Sequence, residues 1–288
     1  MYTKPIRGTL LNKLHPLSKG LIGLWIFNEG SGNKVYDLTG NGNHGTFGAG
    51  AAAPTWMPGR NGPALNFDGG DYVATTEDDQ FAGQSISIAT WINIKTINEV
   101  DEMYVVARIK SSTQKNFHLI INTDGTIQFG PYSACNGATT DPVTSAALTT
   151  AKWYHIVATL EDSVQKKLYI DGKNVDTVTT GALSIPSGCG NMQTVIGARQ
   201  RVAIRPFNGI IDEVLIYNRA LSAAEIWQLY VDPYYMFAPI DDIAALYIAV
   251  GQEYTESVII KLQSKYNQLS AEEYQLLKIL QTLDKKEI

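Results

Sequence analysis

At 288 residues the chain has room for one large β domain or two ordinary domains. Its 44% apolar and 10% aromatic content, with a net charge of only -5, excludes a disordered chain. The 23 basic against 28 acidic residues, with no basic run, argue against a nucleic-acid partner. No apolar stretch approaches the ~20 residues of a membrane-spanning helix.

The first twenty residues carry Lys4, Arg7, Lys13, His15 and Lys19, broken by Pro5 and Pro16. They lack the unbroken apolar run of a secretory signal, so the expectation is a protein made and kept in the cytoplasm of its producer, or released by lysis or on a particle. From Leu21 onward, short apolar stretches alternate with turn signals. Leu21–Phe27, Ala64–Asp68 and Asp71–Thr75 come first. In "SISIATWINI", Ile86, Ile88, Thr90, Ile92 and Ile94 fall on one face at period two, with Trp91 on the other. Met103–Ile109, Phe117–Asn122 and Thr126–Tyr132 follow, the last two joined through Asp124-Gly125, a hairpin signal. Trp153–Leu160, Lys166–Val178 with a bend at Asp171-Gly172, and Gly209–Asn218 close the series. So many β segments without helical periods between them predict an all-β fold, a two-sheet sandwich or a closed barrel. Trp25, Phe67, Trp91, Trp153 and Tyr217 are expected as core aromatics; a sugar platform built from any of them is the sharper alternative.

Beyond Tyr217 the period changes. Ser222 followed by Glu225 is a capping box, and Ile226, Leu229 and Tyr230 form a helical stripe. The same signature recurs at Ser270 and Glu273, ahead of Leu276, Leu277, Leu280 and Leu283, with Pro233 and Pro239 breaking the chain between the two helices. The expected organisation is an N-terminal arm over 1–20, a sandwich over 21–232, and a connector with a mostly helical extension over 233–288. That amphipathic tail is too short to be stable alone, so it docks on its own domain or serves anchoring or homo-oligomerisation.

Cys135 and Cys189 lie in Gly/Ser-rich loops that can meet at one rim. A cytoplasmic location favours two reduced thiols over a disulfide. The four histidines are scattered, with no zinc spacing. Asp212 stands inside the apolar strand "NGIIDEVLIY", where a carboxylate must be paired, face solvent or bind a cation. In "NEVDEM", Glu99 and Asp101 share a face, but the third position is Met103 and Glu102 points away. A glycosidase set of carboxylates on one face is therefore incomplete, and no nucleophile elbow, P-loop or metal-hydrolase helix is present, so no enzyme is expected.

Five ordered motifs, "LIGLWIFNEGSGNKVYDLTGNGNHGTF", "ALNFDGGDYV", "ISIATWIN", "WYHIVATL…KLYIDGKNV" and "FNGIIDEVLIYNRALSAAEI", together resemble the laminin-G-like, concanavalin A-like jelly-roll domain. The resemblance implies two curved antiparallel sheets with a short helix after the last strand. It also implies a structural calcium ion, Ca2+, held by Asp212 with backbone carbonyls of the loop after the first strand, at Glu29, Gly30 and Asn33. The opening "LNKLHPLSKGLIGLWIFNEG" and the late "LYVDPYYMF" are similar to jelly-roll proteins of tailed bacteriophages. What this implies is a non-enzymatic virion structural protein, a head decoration or a fibre or tail component assembled in the host cytoplasm. Its partners would be other virion proteins and further copies of itself, with host-surface glycans touching the loops. A free, calcium-dependent carbohydrate-binding lectin is the alternative, and a glycoside hydrolase the third reading.

Overall fold

The computed structural model describes residues 3–77, 85–111, 114–139, 141–179, 185–186, 189–200 and 204–237. Residues 3–11 and 20–237 belong to one compact unit. Residues 12–19 belong to a second, where Pro16–Ser18 form a 3-10 turn whose first amides are capped by His15 Nδ1. The expected second helix and the oligomerisation tail, beyond residue 237, lie outside the described residues.

In chain order the strands are β1 (Leu21–Trp25), β2 (Lys34–Val35), β3 (Gly45–Phe47), β4 (Thr55–Pro58), β5 (Pro63–Asp68), β6 (Val73–Thr75), β7 (Ile86–Ile94) and β8 (Met103–Ser111). They continue with β9 (Gln114–Ile121), β10 (Thr126–Pro131), β11 (Val143–Ala147), β12 (Trp153–Glu161), β13 (Gln165–Ile170), β14 (Lys173–Thr179), β15 (Val195–Ile196) and β16 (Asn208–Tyr217). One antiparallel sheet runs β14-β13-β12-β7-β16-β5-β4, with β1 also pairing to β16. The other runs β11-β10-β9-β8-β15-β6-β3-β2. The result is the two-sheet jelly-roll sandwich. The expected Asp-Gly bends are both present; Asp171 and Gly172 sit at φ 51° and 76°, the left-handed pair a two-residue hairpin needs.

The alternation of β7 is realised as expected. Ile86, Ile88, Ile92 and Ile94 face the other sheet and pack with Trp25, Phe67, Phe117, Leu119 and Phe129 in a dry core. Each such side chain stabilises the sandwich by about 1.5–3 kcal/mol relative to exposure. Trp91 corrects the expectation of five core aromatics: it lies on the outer face of its sheet, stacked against Tyr230 of helix α1 (Ala223–Val231) at 5.6 Å between centroids. Tyr217, fully buried, also sits outside the inter-sheet core, and Trp153 is only partly buried. Helix α1 begins with the expected capping box, in which Glu225 accepts from Ser222 N at 2.9 Å and Arg219 forks onto the same carboxylate at 2.7 and 3.0 Å.

A β-bulge in β16 sets up the region of interest. The register against β7 shifts between Asp212 and Val214, and Glu213 takes the extra position at φ 44°. Ile211 and Val214 thereby both face the core, while Asp212 turns outward opposite Trp91.

Candidate functional site

The outer end of the bulge is wrapped by the tip of the β4–β5 hairpin and by the N-terminal arm. At the tip, Gly59 N donates to Gly62 O at 2.6 Å and Arg60 N donates to Asp212 Oδ2 at 3.1 Å. A Cβ on Gly59 would stand 2.7 Å from that same oxygen and 2.5 Å from the Ala64 Cβ, so only glycine lets the hairpin close on the carboxylate. The arm pairs with the tip through Lys4 N and Asn61 O at 3.2 Å. Its Lys4 ammonium then reaches inward and donates to Asp212 Oδ1 and to Pro63 O, with Phe27 O 3.5 Å away. Both side chains are almost wholly enclosed, 3% and 2% exposed. Burial raises the Asp212 carboxyl's pKa, and the Lys4 ammonium and the Arg60 amide oppose it by favouring the anion. Next to it Glu213 is fully enclosed, and burial with the neighbouring Asp212 charge pushes its carboxyl up to about 8. Above the pair, the Arg60 guanidinium lies 3.8 Å from the Trp91 ring centroid, and Trp91 also packs on His155.

Of the set expected to hold calcium, the Asn33 carbonyl and the Asp212 carboxylate are already engaged within the chain. Glu29 Oε1 accepts from Tyr36 N at 2.8 Å, the Asn33 carbonyl accepts from Phe47 N at 2.9 Å on an exposed stretch, and Gly30 takes a left-handed turn at φ 67°. Asp212 instead has one oxygen on Lys4 and the other on Arg60 N, so a fixed positive charge stands where the ion is expected. A divalent ion beside an ammonium meets like-charge repulsion, and the set does not fit calcium. Among the described residues no group of three or more His, Cys, Asp or Glu side chains is placed to hold a metal.

The arm also builds a hollow. Pro5 O accepts from Asn28 Nδ2 at 2.9 Å, which lays the next residues of the arm across the loop after β1. Between them opens a cavity of about 160 Å³ lined by Arg7, Thr9, Asn28, Glu29, Tyr36 and Leu38. Its far wall is held by Asp37, whose carboxylate accepts from Leu24 N, Thr39 N and Asn43 N at 3.0–3.2 Å. The Glu29 side chain is buried and its Oε2 has no hydrogen-bond partner, while burial raises its pKa. Tyr36 is 43% exposed, braced edge-on by His44 at 5.2 Å between centroids. The hollow thus offers an aromatic face and the exposed Arg7 side chain, with Glu29 in its lining and the unsatisfied Oε2 enclosed behind it.

Other expected features resolve simply. Arg205 pairs with Asp101 at 3.4 Å and with Glu102 at 2.5 Å, so the acids nearest to a glycosidase pattern form an ion-pair cluster. Cys135 and Cys189 correct the reduced-thiol expectation: they form a disulfide with Cα atoms 5.2 Å apart. The second loop is carried to the first because β9 holds it, Gln114 Nε2 donating to Cys189 O and Asn116 Nδ2 to Pro186 O, both at 2.9 Å. On the outer face of the second sheet, Tyr104, His118 and Tyr132 form a buried cluster with Ile120, His118 Nδ1 lying 3.1 Å from the Tyr132 hydroxyl.

These buried groups set the pH response. Burial lowers both His118 and His155 to about 3. An imidazole that titrates near 6.5 when unfolded takes its proton more readily in the unfolded chain, so each costs stability as pH falls below about 6.5, by about 1.4 kcal/mol per unit. Glu213 acts in the opposite sense. It holds its proton to about pH 8 when folded and loses it near 4.5 when unfolded, so its contribution declines as pH rises across that interval. Melting temperature is therefore expected to peak near pH 6.5. Glu213→Gln should flatten the alkaline limb and steepen the acid limb between about pH 4.5 and 6.5, where Glu213 opposes the histidines. An alkaline limb that stays as steep as in wild type would contradict the assignment.

Similarity to known proteins agrees with this architecture. Domain 4 of AbnA, an extracellular GH43 arabinanase of Geobacillus stearothermophilus solved with arabinotriose, superposes at a TM-score of 0.57 with 18% identity, over 73% of this chain and 98% of that domain. The binding domain of Paraclostridial Mosquitocidal Protein 1 matches at 0.58 and 16%, over 75% of this chain. That of Botulinum Neurotoxin DC, solved with SialylT, matches at 0.59 and 14%, over 76% of this chain. The chain spans about half the length of each of these two toxin domains, 53% in both cases. No match was found among curated protein sequences. A family model does match residues 67–227, more than half of the chain, from β5 through the first turn of α1, and by that match the chain belongs to the concanavalin A-like lectin/glucanases superfamily.

Proposed function

We propose that the chain is a non-catalytic glycan-binding module whose sugar site is the hollow between the N-terminal arm and the loop after β1. The observation that carries the reading is the pairing, in the lining of one hollow, of the half-exposed Tyr36 ring with the Glu29 carboxyl, whose enclosed Oε2 has no hydrogen-bond partner. A sugar ring answers both features. Its hydroxyls donate to the carboxyl oxygen, and its C–H face stacks on the aromatic ring. At about 160 Å³ the hollow takes one ring, a terminal or single internal residue. Two of the fold's structural neighbours were solved with sugar-type ligands, arabinotriose and SialylT, which supports the ligand class without selecting a sugar. The non-catalytic reading is supported by Asp101 and Glu102 both being engaged by Arg205.

A glycan array tests this with the full chain. Wild type should retain a defined set of glycans without releasing reducing sugar. Glu29→Ala should bind them roughly 10–100-fold more weakly, the loss of a hydrogen bond to a charged group. Retention of no glycan, or equal retention by the variant, would count against the site.

The carrier of the module is proposed to be a tailed-phage virion, on the strength of the opening and late motifs. A disulfide suits a protein that works outside a reducing cytoplasm, as a component of released particles does. Native mass spectrometry of the full chain is expected to show a closed homo-oligomer that adds to particles; a monomer that ignores particles would contradict the virion assignment.

A further inference from the structure

We propose that Lys4 is the resident cation of the Asp212 site, a lysine ammonium carried by the chain into an oxygen cage of the kind that hard metal ions occupy. The donors are all oxygens: the Asp212 carboxylate and the carbonyls of Pro63 and Phe27. An ammonium has three N–H donors and no acceptor, and here three oxygens meet them. The charge also matches. The one carboxylate that touches the ammonium, Asp212, balances its single charge, with the Glu213 and Glu29 carboxyls further out and the Arg60 guanidinium over Trp91. The cage closes around the lysine rather than merely touching it. Lys4 N is paired with Asn61 O at 3.2 Å, and a Cβ at Gly62 would lie 3.2 Å from Lys4 Cδ.

Two consequences follow. The folded chain needs no calcium, and the arm is locked to the sandwich by a buried charge rather than by its large apolar side chains, Ile6 and Leu10, which are exposed. The inference stands on the cage alone and does not depend on glycan binding. Its test is thermal melting of the full chain with calcium chloride or with chelator. Wild type should melt at the same temperature in both. Lys4→Ala should melt roughly 10 °C lower, and methylammonium, but not sodium, should recover part of that shift by entering the vacated cage. A calcium-dependent wild type would overturn the proposal. So would a Lys4→Ala protein that melts like wild type, or one that methylammonium does not rescue. Should Lys4→Ala fail to fold, amine acylation of the wild type decides: Lys4 should react many-fold more slowly than the exposed Lys34 and Lys173, and equal rates would overturn the assignment.

Discussion

Asp212→Ala is expected to lower the free energy of unfolding by about 3–5 kcal/mol, the usual cost of orphaning a buried charge. The substitution strands the Lys4 ammonium among carbonyls and removes the acceptor of Arg60 N, so the hairpin tip and the arm lose their common anchor. The attraction itself is not the source of that figure. Enclosing two charges costs nearly as much as their pairing returns, so a double variant, Lys4→Met with Asp212→Leu, should be far less destabilised than the sum of its parts. Urea unfolding of the four proteins of this cycle measures the coupling. A single Asp212→Ala loss below about 1 kcal/mol would mean that water reaches the pair, as at an exposed salt bridge.

Reducing the Cys135–Cys189 bond is expected to cost about 4 kcal/mol, from the loop entropy that a link across 54 residues removes from the unfolded chain. The loss should appear as a lower urea midpoint in reductant, and Cys135→Ser with Cys189→Ser should reproduce it without reductant. The segment bearing Cys189 is also tied to β9 by Gln114 and Asn116, so the folded sandwich should survive reduction with its sheets intact. Two free thiols in the native protein by mass spectrometry would contradict the bond.

The fold was legible where burial imposes a period. The alternation at Ile86–Ile94, the Asp-Gly bends and the Ser222–Glu225 box all carry their instructions within a few residues, and each is realised. The edge strands β2, β4 and β11 were not legible, because two to five residues with one partner each leave too little pattern, and the three-residue β3 between β2 and β6 is equally short of it. Asp212 stood out as a carboxylate in an apolar strand, and the requirement that it be paired or bound was sound. Its partner was hidden because Lys4 lies 208 positions away, and nothing near Lys4 distinguishes it from the other cations of the arm. The bulge at Glu213 was hidden too, since an extra residue at positive φ leaves the apolar sequence around it unchanged. The cysteine pairing was illegible for a different reason: it depends on how β9 holds the second loop, which the Gly/Ser-rich sequence around each cysteine does not carry. Within the hollow, Glu29 drew notice only through its backbone carbonyl, as a calcium ligand the resemblance implies, while Arg7 and Tyr36 gave no local signal at all.

The most direct measurement is a crystal structure of the full chain with an oligosaccharide chosen by the array. One sugar ring is expected in the hollow, stacked on Tyr36, with a hydroxyl within hydrogen-bond distance of Glu29 Oε2 and no metal ion at Asp212. A ring seated elsewhere, such as against the half-exposed Trp227 of α1, or calcium in place of the Lys4 ammonium, would contradict that assignment.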